Sequence, residues 1–317
     1  MERGVLIGCV WLTGTLLTLP SLGQRQATAP DDLQAYFAEI EAERRAADEE
    51  LRDDHWSPLA VIAMLRLSSE PVTIGSAPTN DLVLEGETVA PRHAEVGPET
   101  IGGKTRYRIH ALDGNLFAES GSRAPISELL LEKGGERLQL DRFTVYYDEI
   151  ATLGPILRVL DFSSPAYTRF DGLRYFPVDP SYRVEAELHP YPAPEQIKII
   201  DTMGFLSPGW VYGEAEFTLM GHPLRLKLVL FTPEPQPDSS FYVIFSDETN
   251  AKETYGACRY LLPKFVRSGK IVLDFNRSVN PSCAYNNGFA CPLPPPGNRI
   301  PFSVRSGIKD YANGPRH

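Results

Sequence analysis

The sequence predicts a mainly β protein carrying one N-terminal amphipathic helix, and three observations support that class. From Leu59 onward, short apolar runs alternate with turn residues rather than recurring at helical spacing. The 28 prolines of the 317-residue chain lie mostly in its second half, in clusters such as Pro190, Pro192, Pro194 and Pro292, Pro294, Pro295, Pro296. Such clusters disfavour long helices and leave strands joined by turns. A sustained helical period occurs in residues 31–54, where Leu33, Tyr36, Phe37, Ile40, Ala47 and Leu51 fall on one stripe.

The chain is long enough for two domains, each with a core, and its 42% hydrophobic content is that of a globular protein. Its first residues read as a secretory leader. Arg3 supplies a positive start, Val5 to Leu19 an apolar run, and Pro20 to Gly23 a small-residue end. Removal of residues 1–23 near Gly23 predicts an exported, periplasmic or extracellular protein that meets a membrane only through an uncleaved leader. Leu6-Ile7-Gly8-Cys9 spells a lipoprotein-style box, but little apolar sequence precedes Cys9, so acylation is not expected.

Residues 24–58 comprise a polar connector and the helix. Ten acidic residues between Asp31 and Asp54 face only Arg44, Arg45 and Arg52, a net −7 of the chain's −10. This is the solvated face of a docked helix. Trp56-Ser57-Pro58 ends it, because proline disfavours helical geometry in the residue before it. The acidic balance excludes a nucleic-acid role, which needs a basic patch.

Residues 59–150 read as a β-sandwich, with strands at Val72–Ile74, Leu82–Leu84, His93–Val96, Tyr107–His110, Leu138–Leu140 and Phe143–Tyr147. Ile74-Gly75-Ser76, Asn80-Asp81-Leu82, Ala90-Pro91-Arg92-His93, Asp113-Gly114-Asn115 and Leu131-Glu132-Lys133-Gly134 follow one another in order. This succession resembles the forkhead-associated domain. In that family an arginine and a serine grip a phosphothreonine and an asparagine fixes the peptide. Here those places hold Ser76, Ala90 and Asp113, so the resemblance implies the fold without phosphopeptide binding.

Residues 151–317 read as a second antiparallel, β-rich domain opening at Leu157–Asp161. Further strands are expected at Tyr182–Leu188, Ile197–Ile200, Val211–Leu219, Leu224–Phe231, Phe241–Phe245 and Lys270–Phe275. The words Phe176-Pro177-Val178-Asp179-Pro180, Phe245-Ser246-Asp247-Glu248-Thr249, Thr254-Tyr255-Gly256-Ala257-Cys258-Arg259-Tyr260 and Leu273-Asp274-Phe275-Asn276 occur in order. With Asn280-Pro281-Ser282-Cys283 and Cys291-Pro292 they resemble the bacterial domain of unknown function 1684. That resemblance implies a fold family and no reaction.

Asp247, Tyr255, Arg259, Asp274, Asn276 and Asn280 all fall near strand ends or turns. Three readings follow. Arg259 pairs with carboxylates while the asparagines satisfy buried backbone. Alternatively, Tyr255, Arg259, Asn276 and Asn280 line a pocket for a small polar ligand. In the third, Asp247, Asp274 and Arg259 perform metal-independent hydrolysis. The expectation is a non-catalytic binding or scaffolding module, with a small polar ligand or a protein as partner. No nucleophile elbow, phosphate loop or zinc signature occurs, so no metal or cofactor is expected. Calcium at Asp247, Glu248, Asn250 and Glu253 fits no known loop spacing. The six histidines are scattered. In an oxidising compartment Cys283 and Cys291, flanking a short loop, are expected to form a disulfide, leaving Cys258 free.

Overall fold

The computed structural model describes residues 30–119, 124–132, 134–150, 153–235 and 239–314. The leader, its cleavage point and Cys9 lie outside these residues. Among the described residues no helix is long and apolar enough to cross a membrane.

Helix α1 (Pro30–Leu51) forms where the helical period predicts it, and buries Ile40 and Leu51 while its acidic face meets water. Ser57 ends it as much as Pro58 does. Its hydroxyl donates to the Leu51 carbonyl at 2.7 Å and accepts the Leu59 amide, so a helix-terminal acceptor is not left bare.

Eleven strands then build two sheets. They are β1 (Val61–Arg66), β2 (Val72–Gly75), β3 (Leu82–Val83), β4 (Ala94–Ile101), β5 (Lys104–Ala111), β6 (Phe117–Glu119), β7 (Pro125–Ile126), β8 (Glu128–Leu131), β9 (Arg137–Leu140), β10 (Phe143–Ile150) and β11 (Gly154–Leu160). One sheet runs β1-β11-β10-β9-β6-β7 and the other β3-β2-β4-β5-β8. Ile74, Val96, Ile109, Leu131, Val145 and Leu157 are among the side chains of their shared core. Alternation predicts the central strands because one face of each is buried. It misses β1, whose apolar residues run on without a period of two.

The boundary at residue 151 needs correction. Strand β11, expected to open the second domain, pairs with β10 from Thr144↔Leu160 to Ile150↔Gly154 and with β1 on its other edge. It is therefore an inner strand of the first sheet, antiparallel to both β10 and β1.

After the one-turn helix α2 (Pro165–Thr168) come β12 (Arg183–Ile200), β13 (Leu206–Leu219), β14 (His222–Leu230), β15 (Val243–Phe245), β16 (Arg259–Leu261) and β17 (Gly269–Asp274). Their four-stranded antiparallel sheet is ordered β14-β13-β12-β17, and β15 and β16 form a separate ribbon. The two expected strands around Pro190–Pro194 are one strand whose pairing is interrupted between Pro190 and Glu195, where prolines cannot donate to the ladder. Met220 and Gly221, both at positive φ, close the β13–β14 hairpin beside His222. Phe217, Leu228, Phe241, Phe245, Leu273 and Phe275 belong to the second core. A third cluster joins the halves: Ala60, Val61 and Leu160 pack with Tyr255, Cys283, Phe289 and Cys291.

Candidate functional site

Arg259 sits on β16 opposite Phe245 and is fully buried, 0% exposed, with its guanidinium 5.2 Å from the Phe245 ring centre. It donates to Asp247 Oδ2 at 2.7 Å, to the Val304 carbonyl at 2.8 Å and to the Ser306 carbonyl at 2.5 Å. Asp247 in turn accepts the amides of Thr249 at 2.7 Å and Val304 at 3.3 Å. Burial pulls the Arg259 pKa below its ordinary value, and the Asp247 charge offsets only part of that. This ion pair therefore acts as a clamp: it fixes the returning 304–308 segment against β16.

The network continues through Ser306. Its hydroxyl donates to Asn276 Oδ1 at 2.8 Å, and that same oxygen accepts the Asp179 amide at 3.0 Å. Asn276 Nδ2 donates to the Asp179 carbonyl at 2.8 Å and to the Tyr36 hydroxyl oxygen at 3.0 Å. Asp274, at the end of β17, caps the turn Phe275–Arg277 by accepting the Asn276 amide at 3.1 Å. It also accepts the Tyr36 hydroxyl at 3.0 Å. Burial and the Asp274 charge push the Tyr36 pKa upward, so the phenol stays protonated and donating. Arg277 bridges Asp274 at 3.4 Å to Glu39 at 2.9 Å and Glu43 at 3.3 Å on α1. Burial, slightly relieved by Arg277, raises the Glu43 pKa.

Asp274 is itself 9% exposed, and beside it lies a groove of about 510 Å³ lined by Leu262, Val266, Val272, Arg183, Lys264, Arg277 and Asp274. Among the described residues Lys264 makes no ion pair, whereas Lys270 on the same rim is paired with Glu185. A wider hollow of about 1180 Å³ over β12 and β13 borders Arg183 and Lys270 but none of the predicted site residues.

The predicted site residues divide accordingly. Asp247 and Arg259 meet, both sealed from solvent, and Asp274 joins them through Asn276 and Ser306. The expected hydrolytic trio is thus corrected: the guanidinium is consumed by a carboxylate and two carbonyls inside the core. Tyr255 is likewise no pocket wall; it is buried and its hydroxyl donates to Cys283 Sγ at 3.4 Å. Asn280 holds the Lys309 carbonyl at 2.9 Å, also in the interior. The loop considered for calcium is knit to itself and to Arg305: Asn250 Oδ1 accepts the Asp247 amide at 2.6 Å and Glu253 pairs with Arg305 at 2.8 Å. The alternation of β17 already put Asp274 on the strand's outer face. Tyr36, Asp179, Arg183 and Ser306 escaped sequence reasoning because their words mark a helix stripe or turns, with no sign of a long-range partner.

In the sandwich loops, Ser76 donates to the Val89 carbonyl at 3.0 Å and Arg92 pairs with Glu95 at 2.9 Å. His93 accepts the Ala90 amide at 3.2 Å and contacts the Leu116 carbonyl, bracing two loops. The three described cysteines are free and buried, so the expected Cys283–Cys291 bond is not formed in this structure. The Cys283 amide instead donates to Cys291 Sγ at 3.2 Å. Hydrogen bonding to Cys291, opposed by burial, holds the Cys283 pKa low, while the same contact and burial raise that of Cys291.

Residues 168–309 match the family described as "Protein of unknown function (DUF1684)". The chain belongs to that family through its C-terminal half. Of the network, Asp179, Asp247, Arg259, Asp274, Asn276 and Ser306 fall inside the matched stretch, and Tyr36 falls outside it. An uncharacterized protein of Haloarcula marismortui, solved by solution NMR, is similar at 31% identity over 47% of this chain and 82% of its own, with a TM-score of 0.39. No curated protein matches. The DUF1684 segment thus supplies the clamp, the relay and the groove, and α1 supplies the phenol that closes the relay.

Proposed function

We propose that the protein is an exported, non-catalytic binding module whose small polar ligand lies in the groove that ends on Asp274. One observation carries this reading. Asp247 and Arg259 are spent on each other and on backbone groups in the core, whereas Asp274 is both part of the relay and one of the residues lining a cavity with basic and apolar walls. A cavity of this size suits a small molecule, and a few placed polar groups on apolar walls suit recognition. In the sandwich the phosphopeptide-gripping places hold Ser76, Ala90 and Asp113, which points the search for a ligand to the C-terminal half.

Thermal-shift titration of the full chain with a panel of small polar molecules tests the proposal, because a ligand of the folded form raises the melting temperature. Val272→Trp fills the groove from an exposed strand position and is expected to abolish the shift. Turnover of any panel member would instead favour hydrolysis with Asp274 as general base, and shifts untouched by Val272→Trp would move the site elsewhere. Export rests on the apolar run and small-residue end of residues 1–23; N-terminal sequencing of exported protein is expected to begin at Gln24. In an oxidising compartment the neighbouring Cys283 and Cys291 thiols are expected to join, which intact mass with and without reductant would reveal.

A further inference from the structure

Few side chains of helix α1 are buried. Among its described side chains only Ile40 and Leu51 are buried, and several of its other anchors are polar. Arg44 donates to the Phe176 carbonyl at 3.0 Å with its guanidinium 4.5 Å from the Tyr175 ring centre, and Asp48 accepts the Leu173 amide at 2.9 Å. Glu39 and Glu43 reach Arg277, whose side chain is itself more than one-third exposed. Solvent-bordering polar contacts of this kind open far more readily than a buried sheet.

The Tyr36 side chain meanwhile sits as a ligand would. Its hydroxyl gives a proton to Asp274 and receives one from Asn276 Nδ2, and its ring lies 5.5 Å from the Arg183 guanidinium. Arg183, Asp274 and Arg277 are the residues that also line the groove. The acceptor and the cation that hold the phenol are therefore the ones an incoming molecule would meet. At the far rim Lys264 has no anionic partner among the described residues, and Leu262 and Val272 present apolar surface between.

We infer that the groove binds a small phenol carrying an acidic tail, and that Tyr36 occupies its hydroxyl subsite until the ligand displaces α1. The inference rests on the binding-module reading and names the ligand class of that site. The ligand's hydroxyl replaces that of Tyr36 between Asp274 and Asn276, its ring lies on Val272 and Leu262, and its carboxylate reaches Lys264. Because the strap competes, apparent affinity is lowered by the fraction of molecules with α1 closed.

The test uses the full chain with 4-hydroxyphenylacetate, and phenylacetate as the analogue lacking the hydroxyl. Tryptic cleavage after Arg44 and Arg45 reports undocking of α1, and calorimetry reports affinity. The probe is expected to bind the unsubstituted chain and to speed cleavage at both arginines, and phenylacetate to bind at least about tenfold more weakly, since it makes no hydrogen bond to the charged Asp274. Tyr36→Phe keeps the ring but loses a hydrogen bond to a charged acceptor, and is expected to tighten probe binding on the order of tenfold. Equal affinity in Tyr36→Phe, or binding that slows cleavage of α1, overturns the strap. If that happens while Val272→Trp still abolishes binding, the groove survives and only the present inference fails. If neither the probe nor any panel member binds any variant, both fall.

Discussion

Replacing Arg259 with methionine keeps most of its volume and removes the charge that Asp247 faces. The carboxylate is 2% exposed and would retain only the Thr249 and Val304 amides. Breaking a buried pair from one side costs about 3–5 kcal/mol, because the remaining charge stays desolvated. The Val304 carbonyl also loses its donor and the Ser306 carbonyl the closer of its two, at about 1 kcal/mol each. Against a total stability of about 5–15 kcal/mol for an ordinary domain, the C-terminal half is expected to be near or below its folding threshold. Asp247→Asn should cost a similar amount from the other side, whereas Arg259→Met/Asp247→Asn leaves no unpaired charge. Urea unfolding of all four proteins, run in a stabilising osmolyte so that the single variants fold, measures the cycle. The double variant is expected to be less destabilised than the sum of the singles by about 2–3 kcal/mol. Single costs below about 1 kcal/mol, or additivity within about 0.5 kcal/mol, would refute the clamp.

Gly307 adopts φ +73°, and a Cβ there would overlap the Ser278 hydroxyl and the Phe275 carbonyl; Gly307→Ala is expected to lower stability by more than about 1 kcal/mol in urea titration. The Thr88 amide bonded to Asp141, joined by that of Arg142, holds the Asp141 pKa below the usual carboxylate range. The native value being depressed, its stabilisation is complete above the unfolded value of about 3.9 and lost as pH falls through the native one. Melting curves below about pH 4 should therefore decline less steeply in Asp141→Asn, and an unchanged slope counts against that role. Ile40→Ala removes a buried contact of α1 and is expected to speed tryptic cleavage after Arg44 and Arg45 while costing the β-domains little, as hydrogen exchange of β13 would report.

Much of the fold was legible because its signals are local. Strands β2, β4, β5, β10, β13 and β17 announce themselves by period-two alternation, and α1 by its stripe of apolar positions. Strand β11 was equally visible as a strand but was given to the wrong half, since an apolar run on an inner strand carries no information about its neighbours. The polar words around Asp247, Arg259, Asp274 and Asn276 stand out in the sequence, and hydrogen bonds link them in the structure. Their roles were not legible: Arg259 has the same signature whether it faces a solute or the Ser306 carbonyl.

From the amino-acid order alone come the β class, the acidic helix and the family of the C-terminal half. These depend on interactions within a few positions, which spacing records directly. Tertiary structure decided that Arg259 would be sealed in the core, that Asp274 would line a groove, and that Tyr36 would reach it across 238 residues of chain. Such pairings are selected by sheet register and by which polar groups each packing step leaves to be satisfied, and a one-residue change of register would turn the same side chains to the opposite face.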